Sequence, residues 1–570
     1  MALNSYLFIF LFLPLAAAGY WLLTRYAGRG FALAWLLVMS VVFYGYSGIK
    51  NAAIIAPSIL LDFAIARALL RTNVRQQRVR TILFGVSIAA NVALLATLKY
   101  KNFFLETTNA LFATHYDLAP LILPLGISFL TFQKIAFISD VNSGKIREIT
   151  FFDFVQFLLF FPRVIAGPIV YYKEIVPQFR QTQSSAALSN IVVGLLLFSI
   201  GLFKKSAIAD SVGAFVPEAF DIKSESPPGM LVAWIGLLAC TFQTYFDFSG
   251  YSDMALGAAR MFGVRLPANF NSPFKSSSVS EFWCRWHMTL TRFLTAYIYT
   301  PIFLGVSRMR AARRKPVLRG KDSSLGAIVS LICLPTLITM LIAGVWHGAG
   351  WQFIIFGLLH AAYLMVNQVW RTVRPRFWQN DILYDRIMRP LGVVLTFCAV
   401  VFAFVFFRAP SVAAAWSILG SLSGANGLFP RDVQLLQGLG VQFHWDYLGL
   451  LGNPYLPQPG VPIAWLVALF AGVALLPNSL EILERYGPAL DFPAVVPQAR
   501  RVPPQSSDNA QSGKEAKELS IVKGLMAGRS WFLGGRGPWF AKVVSLLAAI
   551  LFILGIAASG RGHPFVYGQF

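Results

Sequence analysis

The chain has 570 residues, of which 56% are apolar, 15% aromatic and 13% charged, about half the charged share of an average soluble protein. This composition excludes a disordered protein and argues against a water-soluble globular enzyme; repeated long apolar runs point to an all-α, polytopic bundle in a lipid bilayer. The net charge of +23, from 48 Lys and Arg against 25 Asp and Glu, fits cytoplasmic loops and anionic lipid head groups better than nucleic acid as a partner.

The first apolar run, Tyr6–Leu23, has no basic residue ahead of Arg25. It therefore lacks the positive n-region of a signal peptide and reads as a retained first helix. Further runs follow at Phe31–Tyr46, Ala52–Leu70, Thr81–Leu98, Leu121–Ile138, Phe151–Val170, Leu188–Phe203 and Met230–Phe246, then at Leu325–Val345, Gln352–Val369, Leu391–Phe407, Ile463–Leu476 and Val543–Ala558. Several fall short of the roughly 20 residues that a crossing needs, so about eleven to fourteen membrane-embedded segments are expected, some re-entrant.

Short loops set the orientation. Arg71, Arg75, Arg78 and Arg80 follow the third run, whereas 102–120 holds no Lys or Arg and carries Glu106 and Asp117. The N-terminus and the 102–120 stretch are thus predicted outside the cytoplasm. Residues 260–321 carry twelve basic residues and one acidic residue, Glu281, the strongest cytoplasmic signal in the chain. The organisation predicted is a membrane domain over 1–487 with its catalytic core at about 120–410, a Pro- and Ser-rich flexible loop at 488–518, and a last membrane segment with an aromatic tail at 519–570. No internal repeat and no matched pair of broken helices appears, which weakens a transporter reading. Cys240, Cys284, Cys333 and Cys398 show neither a CxxC pair nor metal-ligand spacing, so neither a disulfide framework nor a metal site is expected.

His347 sits in Ala343-Gly344-Val345-Trp346-His347-Gly348-Ala349-Gly350-Trp351, between two apolar runs. An ionisable group at membrane depth is costly and marks a functional candidate; the alternative is an imidazole hydrogen-bonded between helices. In a dry channel the imidazole stays neutral and suits general-base chemistry on a reactive ester. His287 lies in Glu281-Phe282-Trp283-Cys284-Arg285-Trp286-His287, where aromatics alternate with charge as at a membrane interface, and an anchoring role competes with a chemical one. His360 reads as a packing residue. The run Tyr245-Phe246-Asp247-Phe248-Ser249-Gly250-Tyr251-Ser252-Asp253 sets two carboxylates beside an apolar span. They would cap a helix starting near Gly250, pair with an interior arginine, or touch substrate. Asp62, Asp140 and Arg163 read as packing partners. No Gly-x-Ser-x-Gly elbow, Walker loop or metal triad competes for the chemistry.

These residues, with Leu123-Pro124-Leu125-Gly126-Ile127-Ser128-Phe129, the segment from Phe160 to Ile169 containing Pro162-Arg163 and Gly167-Pro168, and Gly201-Leu202-Phe203-Lys204-Lys205, resemble the membrane-bound O-acyltransferases. The nearest branch is the bacterial one that modifies alginate and teichoic acid. The resemblance runs through most of the chain and is thin at 429–460 and 488–518. It implies a bundle around a funnel, with His347 as the catalytic base and His287 as its supporting residue; Trp346, Trp286, Arg285 and Asp247 are the candidate substrate contacts. It also implies acetyl-CoA as a cytoplasmic donor substrate with no bound cofactor, a polysaccharide acceptor, a separate extracytoplasmic acyltransferase as partner, and a bacterial inner-membrane location. Two departures stand out: Cys284-Arg285 where the family has two arginines, and Thr295-Ala296-Tyr297 where it has Arg-Asp-Tyr. D-alanyl transfer from a carrier protein, and a transporter or flippase with a proton-relay histidine, are the alternatives.

Overall fold

The computed structural model describes residues 1–46, 48–73, 75–118, 123–181, 187–220, 227–318, 323–427, 460–490 and 538–559. The predicted loop at 488–518, beyond Leu490, and the aromatic tail lie outside the described residues. Within them the chain is helical, with no strand and one isolated bridge between Pro267 and Leu490. Helices close every backbone hydrogen bond within one segment, which hydrocarbon demands because it offers no alternative partner.

Among the described residues eight helices are long and apolar enough to cross a membrane: α1 (Phe8–Tyr26), α2 (Ile49–Arg71), α3 (Gln77–Phe112), α4 (Leu188–Gly213), α5 (Met230–Met261), α6 (Leu325–His347), α7 (Trp351–Val373) and α8 (Asp381–Arg408). Shorter apolar helices at Arg29–Gly45, Val412–Leu422, Pro462–Leu475 and Leu546–Ser559 accompany them. The run Phe151–Val170 is not a span. Its helix stops at Leu159, and 161–166 forms turns, because Pro162 and Gly167-Pro168 cannot continue a helix. The run at 121–138 contributes the helix Ile127–Asn142, which is buried along nearly its whole length.

α5 is 32 residues long, so it starts well before Gly250, and Asp247 and Asp253 lie in its interior instead of capping it. Their partners are lysines of α4 and not an arginine: Lys205 Nζ stands 2.7 Å from Asp247 Oδ1 and 2.6 Å from Asp210 Oδ1, and Lys204 Nζ stands 2.7 Å from Asp253 Oδ2. Lys204 and Lys205 belong to a π-helical stretch, Phe203–Ala209. Asp62 accepts from Ser87 Oγ at 2.6 Å and Asn91 Nδ2 at 2.9 Å, with Lys134 Nζ 3.4 Å away. Lys145 pairs with Asp140, and the buried Arg163 guanidinium stands 4.8 Å from the Phe157 ring centroid. The three residues read as packing partners are therefore engaged within the protein.

Helices in lipid gain little from apolar burial against one another, so close packing depends on small residues. Gly194 and Gly201 of α4 lie against Gly257 and Gly250 of α5 so closely that a Cβ on Gly250 would stand 2.7 Å from Gly201 O and 2.9 Å from Lys205 N. We expect Gly250→Val to destabilise the protein by about 1–3 kcal/mol, the usual overpacking range, read as a lower melting temperature in detergent. Gly305→Ala, at a position with nothing within 4 Å, is the control and should leave it unchanged.

Candidate active site

α6 and α7 form an antiparallel hairpin packed at Gly344 and Gly357, whose Cα atoms leave no room for side chains. Arg310, Arg313, Arg314 and Lys315 precede the hairpin and Arg371 and Arg374 end it, so His347 lies at its tip, away from the basic end. The carbonyls of a helix's last turn lack intrahelical donors. Here α3 supplies them: Tyr100 Oη donates to Val345 O at 2.7 Å, and Lys99 Nζ donates to Trp346 O at 2.6 Å and to His347 O at 3.3 Å. Both residues come from the π-helical stretch Ala96–Tyr100, an insertion of the kind often found at functional sites. Gly348 then continues in extended conformation, with the Phe353 ring filling the space a side chain would take.

The His347 ring is 4% exposed and is walled by Trp346, Phe407 and Phe356, with ring centroids at 4.8, 5.3 and 5.7 Å. It borders a cavity of about 70 Å³ lined by Lys99, Trp346 and His347 on one side, and by the 123–129 turn, Ile165 and Ala166 on the other. Gly126 shapes that turn. Its φ is +72°, which glycine adopts without steric cost, and a Cβ there would collide with Val164 O.

His287 is wholly buried and stands behind the cavity wall, its ring 4.8 Å from Phe248, 6.1 Å from Trp346 and 6.3 Å from Phe129. It occupies the left-handed region with φ +43° and ψ +51°, at the start of the helix Met288–Leu294. The flanking backbone is tied down by Met288 N donating to Asn269 O and Asn271 N donating to Arg285 O, both at 2.9 Å. Trp346 therefore packs against both imidazoles.

The other predicted contacts lie elsewhere. Trp286 is stacked on Phe282, with Tyr245, Phe270, Phe274 and Phe404 around it. Arg285 Nη2 pairs with Glu281 at 2.8 Å. Burial opposes ionisation of that carboxyl, but the Ser277 amide and hydroxyl and the Arg285 guanidinium together outweigh it and hold the group below its usual range. Asp247 faces Lys205. These three side chains do not line the His347 cavity. His360 accepts from Trp283 Nε1 at 3.3 Å and packs edge-on to Phe356, in keeping with a packing role. Lys99 and Tyr100 were not singled out by the sequence; the available signal was a lysine closing an otherwise apolar run.

The model of the membrane-bound O-acyltransferase family matches residues 143–315, which include His287 and stop short of His347. The peptidoglycan O-acetyltransferase of Helicobacter pylori is 36% identical over 452 residues, covering 75% of this chain and 80% of that protein. The probable alginate O-acetylase AlgI of Azotobacter vinelandii is 34% identical, over 74% of this chain and 78% of its own. The teichoic acid D-alanyltransferase of Streptococcus thermophilus is 27% identical over 50% of this chain and 68% of its own. With an apolar helical bundle, a buried histidine on a cavity wall and these relatives, the chain belongs to the membrane-bound O-acyltransferase family and is a multi-pass membrane O-acyltransferase.

Proposed function

We propose that this enzyme moves an acetyl group from acetyl-CoA on the cytoplasmic side of a bacterial inner membrane to a hydroxyl on an extracytoplasmic polysaccharide, with His347 as general base. The carrying observation is the place of that imidazole: nearly buried, on the wall of a cavity, at the hairpin end opposite the basic loops. Positive residues mark the cytoplasmic side, which supports a cavity in the extracytoplasmic half and an N-terminus outside. A cavity of about 70 Å³ beside the imidazole has room for the reacting end of a small acyl group. His347 takes the proton of the attacking hydroxyl as its oxygen bonds to the thioester carbonyl carbon. The carbon–sulfur bond then breaks, and the imidazolium returns the proton to the leaving thiolate. His287 supports His347 through Trp346.

Relatives that transfer acetyl match about three-quarters of the chain, against half for the D-alanyl relative. An alanyl group also carries an ammonium, which would meet that of Lys99. The acceptor polymer is of the peptidoglycan or alginate kind that the relatives' names give, and a separate extracytoplasmic protein completes delivery. The test is transfer of label from acetyl-labelled acetyl-CoA to polysaccharide by the protein in lipid nanodiscs, with mass analysis of the product. Acetylated product supports the reading; a nitrogen-containing acyl group moves it to alanyl transfer; accumulation of substrate in vesicles without any acyl product overturns it. Polymer acetylation at the full rate by this chain alone would remove the partner.

A further inference from the structure

We infer that Lys99 is a catalytic residue of the same site: its ammonium stabilises the oxyanion that forms on the thioester carbonyl when the hydroxyl attacks. The inference rests on the acyl-transfer reading and adds to it a group and a charge.

A lysine within a membrane helix ordinarily extends its amine to the interfacial water. Lys99 does the reverse. It is 9% exposed, and its Nζ turns inward to the last carbonyls of α6, at 2.6 Å from Trp346 O and 3.3 Å from His347 O. Among the described residues no carboxylate forms an ion pair with it, so carbonyl oxygens and the negative end of the α6 dipole compensate its charge. Capping alone does not call for a cation. Tyr100 satisfies the neighbouring carbonyl of Val345 with a neutral hydroxyl, and an ammonium in that place, favoured by the α6 dipole, adds a charge that a hydroxyl cap does not have.

What uses it is the cavity. Lys99 lines it beside His347 and is the one amine of its described lining. The reaction makes negative charge there. As the acceptor oxygen bonds to the carbonyl carbon, the carbonyl π pair moves onto oxygen while the proton passes to His347. When that pair returns, the carbon–sulfur bond breaks and the thiolate takes the proton back. A cation already in place, in a site poor in water, stabilises the tetrahedral state without reorganising, the largest single contribution in many enzymes of acyl transfer. An ammonium has three N–H donors, and two directed at α6 leave one for the substrate oxygen. Because those two reach the backbone of Trp346 and His347, the base and the cation are held at a fixed separation.

The experiment compares Lys99→Gln, Lys99→Met and Lys99→Arg with the wild-type enzyme in nanodiscs, measuring kcat and the KM for acetyl-CoA alongside thermal melting. Gln and Met should each lower kcat by about 10²–10³-fold, the loss typical of removing one oxyanion donor, with KM unchanged, and Arg should restore most of the rate. Gln retains N–H donors for the α6 carbonyls, so it decides the matter even where Met fails to fold. A Gln variant that turns over like the wild type shows that capping suffices and overturns the inference alone. Equal losses in Gln and Arg, with lowered melting in both, also overturn it, since charge would then count for nothing. No transfer by the wild-type enzyme in membranes that retain its extracytoplasmic partner overturns the acyl-transfer reading itself, and the inference with it.

Discussion

Replacing His347 by alanine is expected to abolish most acetyl transfer, with a fall in kcat of at least about 10²-fold and up to about 10⁴-fold, the range a positioned general base supplies. The wall positions of Phe356, Phe407 and Trp346 do not depend on the imidazole's nitrogens, since these rings meet its faces and edges. His347→Gln fills most of the volume that alanine vacates and should show the same loss of rate, with melting close to that of the wild type. The check is acetyl transfer and thermal melting on the same preparations. A His347→Gln enzyme that keeps its rate would reduce the residue to a helix-packing imidazole, the alternative left open by its position between two apolar runs.

The largest effect on stability is expected at Lys205. Its ammonium is shared by Asp210 and Asp247 at 2.6 and 2.7 Å, and all three side chains are almost wholly buried. Lys205→Met leaves two carboxylates side by side without their common cation. Breaking a buried pair from one side costs about 3–5 kcal/mol, and like charges at this spacing add to it. The variant should melt far below the wild type in detergent or fail to give a monodisperse peak. Asp247→Asn is the informative companion: it leaves the Lys205–Asp210 pair, so stability falls less and the KM for acetyl-CoA stays where it was. A raised KM in Asp247→Asn would restore the substrate contact for which this residue is a candidate.

Much of the bundle was legible because its signal is local. An uninterrupted apolar run must become a helix to satisfy its own backbone, and α6 and α7 lie where their runs predicted, with His347 at their junction. At 151–170 hydropathy alone suggests a span, whereas Pro162, Gly167 and Pro168 state the interruption outright. The length of α5 was hidden for the opposite reason. Its polar stretch resembles a helix start until Lys204 and Lys205 are known to lie opposite, and that pairing is a fact of packing, with no local pattern to reveal it. Lys99 was obscured in the same way. In the sequence it closes an apolar run, where lysines commonly mark the interface, and only the crossing of α3 over the end of α6 turns it inward. Arg285 and Trp286 show the converse: their spacing beside His287 is conspicuous, yet Glu281 and the Phe282 ring take up their polar and apolar surfaces.

The two glycine contacts between α4 and α5 leave no side-chain layer to lubricate that seam. Sliding one helix past the other, even by a residue, would push a substituent into a peptide oxygen, so the pair resists shear and behaves as one girder carrying the lysine–aspartate cluster. Whatever yielding the passage of a coenzyme arm needs then falls on helices without such seams, since Gly344 against Gly357 and Gly126 against Val164 O are pressed together as closely.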